Sequence, residues 1–159
     1  MDPATILSVI ATSAKLAKSS WDLGEALYTF TKDAIIIDTT LQNLVNETRA
    51  VQSPCKLLVK LLEYIKADID SHPEMAATKH ETQLVSTLEV LACQLVACEA
   101  TLDRLRQATE GIRSNNANAA KKAWAAFKLN LRRETMKESR SQLSMHLTAL
   151  NTSLNVLNW

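Results

Sequence analysis

Between residues 84 and 105 the chain repeats apolar side chains at alternating steps of four and three: Leu84, Leu88, Leu91, Leu95, Cys98, Leu102 and Leu105. An α-helix with 3.6 residues per turn gathers such positions into one narrow seam, whereas a strand would scatter them over both faces. A seam that long has to be covered, so the chain is expected to fold as helices packed against it. The rest of the sequence agrees. It holds only 2 Gly and 3 Pro, too little of the punctuation that strands and tight turns need. Hydrophobic residues make up 47% but aromatic residues only 4%, so the core is aliphatic and large stacking platforms for nucleic-acid bases are lacking.

The remaining segments read as helices too. Asp2 suits an N-cap and Pro3 a first turn, which starts a helix predicted to run to about Phe30 through Ile6, Val9, Ile10, Leu16, Leu23 and Leu27, with Gly24 as a weak point. A second is predicted from about Lys32 to Val51, with Ile37, Leu41, Leu44, Thr48 and Val51 on its seam. Ser53 and Pro54 then restart the chain as N-cap and first turn of a third, carrying Leu58, Leu62, Ile65 and Ile69, which His72-Pro73 ends. Ser71 and Glu74 have capping-box spacing and place the start of the seam helix there; Gly111 and the Asn-rich 114–118 stretch end it. From Ala119 to Leu157 the pattern is helical throughout, and the Thr135/Glu138 capping-box spacing leaves open a kink or restart near Arg133–Thr135 or one continuous helix. With 159 residues there is room for one core. The expected fold is an all-α, antiparallel bundle of four to six helices in a single domain over residues 1–159, with periodicity still running at Trp159 as if the domain were the N-terminal part of a longer protein.

Catalytic chemistry is not signalled. His72, His80 and His146 fall in separate segments and belong to no motif, and the sequence has no Gly-rich phosphate loop, no His-Glu-x-x-His, no Cys-x-x-Cys and no Gly-x-Ser-x-Gly. We expect no enzyme activity, no metal and no cofactor. Cys55, Cys93 and Cys98 form an odd set without ligand-like spacing and read as reduced, buried thiols of a cytoplasmic protein. A net charge of +1 supplies no field to gather nucleic acid. The N-terminus lacks the features of a signal peptide, Asp2 excludes myristoylation, and no membrane span is expected, since Lys15 and Lys18 interrupt the first apolar helix.

One region departs from the even charge. Residues 119–159 hold Lys121, Lys122, Lys128, Arg132, Arg133, Lys137 and Arg140 against Glu134 and Glu138. Lys121, Lys128 and Arg132 are seven and four apart on one side of a helix, with Lys122 and Arg133 on the neighbouring stripe, beside Trp124 and Phe127. That composition suits a helix lying on anionic lipid. It also suits a bundle helix that gives Trp124, Phe127 and Leu131 to the core and leaves its basic face to water, and this is the favoured reading.

Taken in order, these segments resemble the fungal HeLo-like N-terminal domain. The resemblance is carried by Met1-Asp2-Pro3 before the apolar run from Ile6 to Ala11; by Leu27-Tyr28-Thr29-Phe30 and Asp33-Ala34 leading to Ile37, Thr40, Leu41 and Leu44; by Cys98, Thr101, Leu102 and Leu105; by Lys122-Ala123-Trp124 through Lys128; and by Ser141-Gln142-Leu143 with the heptads through Asn151-Thr152-Ser153-Leu154. It spans nearly the whole chain and rests on order and spacing. Domains of this family head signalling proteins with nucleotide-binding or repeat regions and are related to membrane-disrupting domains of fungal incompatibility proteins. The resemblance implies an effector domain of an immune or incompatibility-type receptor that triggers programmed cell death. Its first helix would be the membrane-targeting element, a role that falls on Ile6, Leu7, Val9, Ile10 and Leu16.

The expectation is therefore a cytoplasmic protein, soluble at rest, that oligomerises with its attached receptor domains and is then recruited to the plasma membrane. Self-association and an anionic membrane are the expected partners; nucleic acid is not. An adaptor or self-association module without membrane activity is the alternative, and Thr5, Ser8, Thr12, Ser13, Lys15 and Lys18, which make the first helix unusually polar for an inserter, favour it.

Overall fold

A computed structural model describes residues 3–33, 38–74, 79–110, 117–131 and 134–157, and all but the turn residues among these are helical. Among the described residues six α-helices follow in order: α1 (Pro3–Asp33), α2 (Thr39–Arg49), α3 (Gln52–Ser71), α4 (Lys79–Glu110), α5 (Ala117–Leu131) and α6 (Glu134–Leu157). The fold class is all-α. Helix α1 packs against α2, α3 and α4, while α6 packs against α4, α3 and α5.

The predicted seam is the centre of the core. Leu88, Leu91, Leu95, Cys98 and Leu105 of α4 are fully or almost fully buried, Leu102 is buried, and Leu84 packs partly buried against them. They meet Ile6, Val9, Leu16, Leu23 and Leu27 of α1, Leu41 and Leu44 of α2, Leu58 and Leu62 of α3, and Leu143 and Leu150 of α6 in one apolar cluster. Burial of each large aliphatic side chain contributes about 1.5–3 kcal/mol relative to exposure.

Three small polar residues on the buried stripes, Ser13, Ser20 and Thr48, bond within their own helices. Ser13 Oγ donates to the Val9 carbonyl at 2.7 Å, Ser20 Oγ to Ala17 at 3.0 Å and Thr48 Oγ1 to Leu44 at 2.6 Å. This back-bonding removes the cost of an unpaired hydroxyl and lets Thr48 fill the seam position assigned to it.

Several helix ends differ from the expectation. Helix α1 continues to Asp33 and is unbroken at Gly24. A Cβ at Gly24 would lie 2.5 Å from Arg49 Cγ, so the glycine serves a close approach between α1 and α2, not a break. Helix α2 starts at Thr39, not Lys32, because Asp38 in extended geometry accepts from the Thr40 and Leu41 amides at 2.8 and 3.3 Å. Ile37, given to the α2 seam, lies outside the described residues, as does Asp2, the expected cap of α1.

Helix α3 begins at Gln52, so Ser53 is not its N-cap; Ser53 and Pro54 sit in the first turn, where the missing proline donor costs nothing. The Ser71–Glu74 capping box does not form: Ser71 is the last residue of α3, its Oγ donating back to the Ala67 carbonyl at 2.8 Å. Pro73 and Glu74 form a single 3₁₀ turn, and α4 starts at Lys79. The last segment comprises two helices, α5 and α6, and Thr135 lies inside α6 instead of capping it.

A further difference concerns membrane-spanning length. Helix α4 has, over Thr82–Glu110, the length and apolar composition to cross a membrane, since Glu89 and Glu99 are the only charged residues between Thr82 and Leu102. Core helices meet the same criterion, and the seam of α4 is occupied by packing. The two faces of α4 provide a stability test. Leu95→Ala should destabilise the fold by about 2–5 kcal/mol through a lost side chain and a cavity, whereas Val96→Ala, at a position 62% exposed, should stay within about 0.5 kcal/mol in chemical denaturation.

Candidate functional site

The first-helix residues are divided between core and surface. Ile6, Val9 and Leu16 are buried, and Ile10 packs partly buried against the same cluster. Leu7 points outward, 51% exposed. The geometry follows from the helix: Ile6, Val9, Ser13, Leu16 and Ser20 recur at steps of three and four along the packed stripe, and Leu7 lies one position, about 100°, away from it.

The basic segment begins on α5. Lys121 and Lys122 are exposed there, while Trp124 is buried. The side chain of Lys128 and the whole of Arg132 and Arg133 lie outside the described residues, as do the side chains of Phe127 and Leu131. Arg140, the last basic residue of the segment that forms a described contact, is turned inward to α2: its Nε and Nη2 donate to Glu47 Oε2 and Oε1 at 3.1 and 2.7 Å. Such a bidentate pair is directional as well as attractive.

A second arginine joins α2 to α1. The Arg49 guanidinium lies 5.1 Å from the Trp21 ring centre and 4.9 Å from that of Tyr28, and it pairs with Glu25. Trp21, Glu25 and Tyr28 are spaced by four and three on one stripe of α1, and Gly24 leaves room for the Arg49 stem beneath them. Cation–π contacts of this kind are worth about 0.5–2 kcal/mol. Sequence reasoning missed this cluster; its only local sign was a glycine amid an otherwise helical pattern. Lys15 of α1 reaches Glu99 of α4 at 2.6 Å, an exposed pair of small energetic weight.

Helices α4 and α6 share a polar row. Ser153 Oγ donates to Gln94 Oε1 at 3.2 Å, His146 Nε2 lies 3.2 Å from Thr101 Oγ1, and Arg104 Nη2 donates to Gln142 Oε1 at 3.0 Å, so residue numbers rise along α4 as they fall along α6. The Thr101 hydroxyl donates to the Ala97 carbonyl at 3.1 Å, which leaves its oxygen to accept from His146 and assigns the proton to Nε2. Burial, and then the positive charge of Arg104, hold the His146 pKa below the usual imidazole value. His72 is exposed at the C-terminal end of α3, facing Asp68 at 3.5 Å; the His80 side chain lies outside the described ones.

The cysteines separate. Cys55 and Cys98 are buried, and burial pushes both thiols up to about 12, with Cys98 adding a smaller upward effect on Cys55. Cys93 is exposed, contrary to the expectation of three buried thiols. The reason is rotational: five residues turn a helix by about 140° from Cys98, past the seam. Among the described residues no group of three His, Cys, Asp or Glu side chains is placed to hold a metal ion.

These environments predict two outcomes. A thiol-specific reagent should modify one cysteine rapidly in the folded protein, and Cys93→Ser should abolish that fast phase while leaving two groups that react on unfolding. His146 binds fewer protons folded than unfolded, so its contribution is neutral above pH about 6.5 and becomes destabilising as pH falls below it. The melting temperature should drop between pH 7.5 and 5.5, and the drop should be smaller in His146→Gln.

Compared with protein-family models, characterised proteins and solved structures, the chain matches none.

Proposed function

We propose that this chain is a HeLo-like effector domain: an antiparallel helical bundle, soluble at rest, that heads a fungal immune or incompatibility-type receptor and acts at the plasma membrane when its receptor regions oligomerise, triggering cell death. The observation that carries this reading is the state of α1, whose aliphatic residues are stored in the core at Ile6, Val9 and Leu16. The opposite chain senses of α4 and α6 along their polar row support the antiparallel arrangement.

Magnitudes favour a gated mechanism. Withdrawing those three side chains from the core costs about 5–9 kcal/mol of burial, comparable with the whole stability of an ordinary domain. A lone molecule therefore keeps α1 packed. Clustering supplies the missing free energy by presenting several helices to one membrane, where each adds avidity without a new type of contact. The basic flank of Lys121, Lys122, Lys128, Arg132 and Arg133 makes the first, salt-sensitive encounter with acidic lipid, at up to about 1 kcal/mol per charge near the surface.

The alternative is a protein-binding adaptor or self-association module without membrane activity. It is favoured by the outer face of α4, where Val90, Cys93, Val96, Ala97 and Ala100 are all exposed. An apolar strip of that kind suits a protein partner.

Leu7 separates the two readings cleanly, because it is exposed and its replacement leaves the core intact, whereas a charge at Ile6 would unfold the helix packing. The domain, fused to a tetramerising coil, should release dye from anionic liposomes. Leu7→Glu should abolish release, and charge reversal at Lys121, Lys128 and Arg132 should abolish flotation with the vesicles at low salt, both with unchanged helicity. Release equal to that of the parent in Leu7→Glu would refute the α1 mechanism. Discrete dimers that neither float nor cause release would establish the adaptor.

A further inference from the structure

Helices α1 and α3 are separated on their outer side by a groove of about 660 Å³ that neither the effector nor the adaptor reading uses. Its floor is apolar and shallow-chained: Ala14 and Ala17 from α1 and Val59 from α3, with Trp21 as an end wall that remains 39% exposed. The two alanines create the concavity, since any longer side chain there would fill it. Its lining also includes three lysines, Lys18 from α1 and Lys56 and Lys60 from consecutive turns of α3. All three lysines are exposed, and none makes a hydrogen bond or ion pair among the described residues. Asp22 and Glu63 also border the groove, so the lining is net positive by one charge.

We infer that this groove binds a single-chain anionic amphiphile, its chain on the Ala14–Ala17–Val59 floor against Trp21 and its anionic head among Lys18, Lys56 and Lys60. The size falls in the range of small-ligand sites, about 300–1,000 Å³. Charge complementarity selects the head: lysines are point charges that receive a phosphate or carboxylate from several directions. Concavity favours a free amphiphile over a bilayer, because a flat membrane surface meets the rim of the groove, whereas a single chain can lie along Ala14, Ala17 and Val59 between the two helices. This inference does not depend on the effector reading, which rests on Ile6, Leu7, Val9 and Leu16 of α1 and on the α5 flank.

Calorimetric titration of the 159-residue chain with dodecyl phosphate, held below its micelle concentration, tests it. Saturable binding at one site is expected, with inorganic phosphate at least tenfold weaker. The double variant Lys56→Gln/Lys60→Gln and, separately, Ala14→Leu should each weaken binding at least tenfold, the first by removing the head site and the second by filling the floor. Lys32→Gln, an exposed lysine outside the groove, should bind within twofold of the parent. Ala14 and the lysines are exposed, so circular dichroism should show these variants folded as the parent. Equal affinity for inorganic phosphate, unchanged binding by the Lys56/Lys60 and Ala14 variants, or binding to phospholipid vesicles with none to the monomeric amphiphile would each overturn the assignment.

Discussion

Burial of the α4 seam is the constraint on which the other elements depend. Leu88, Leu91, Leu95, Cys98, Leu102 and Leu105 form a continuous apolar line that no single neighbour covers. Helix α1 lies on it from one side and α6 from the other, and α3 contacts both of those helices. With few aromatic side chains available, the free energy comes from many aliphatic contacts of similar size, none dominant. Close packing therefore matters along the whole line, and the polar residues that share it must be satisfied without disturbing the backbone. The back-bonded Ser13, Ser20 and Thr48 meet that demand locally.

Apolar burial sets which faces meet, and polar contacts then set how the helices are registered. Helix α2 is short and is tied at two points: Glu47 receives Arg140 from α6, and Arg49 inserts between Trp21 and Tyr28 of α1. The second contact is possible only because Gly24 has no side chain to oppose it. The α4–α6 row of Gln94, Thr101 and Arg104 against Ser153, His146 and Gln142 performs the same service on the far side. Directional bonds at fixed residue spacing discriminate against slippage by a turn, which an all-leucine seam would tolerate.

Local environment also divides chemically identical residues. Three cysteines become two buried thiols held out of reach of ionisation and one thiol open to solvent. The aliphatic residues of α1 divide likewise, with Leu7 outside and Ile6, Val9 and Leu16 inside. A helix one residue wide at its seam makes such divisions sharp, because adjacent positions differ by about 100°.

Sequence periodicity by itself determined the helices and most of the core, because steps of three and four encode which residues share a face before any partner is chosen. The α4 seam, the Leu41–Leu44–Thr48 stripe and the burial of Trp124 were legible in this way. The exposure of Cys93 follows from its five-residue offset from Cys98, about 140° around the helix. Helix ends were less legible, since Asp38, Ser53 and Ser71 all have capping chemistry and only the chain path decides which of them caps. The tertiary structure alone decided what lies between helices. Arg49 on Trp21 and Tyr28, Glu47 with Arg140, and the groove joining Lys18 to Lys56 and Lys60 each unite residues from different helices. Their meeting depends on the order and crossing of whole elements, and no local spacing records that, because the interactions that hold a single helix act only within about four residues of the chain.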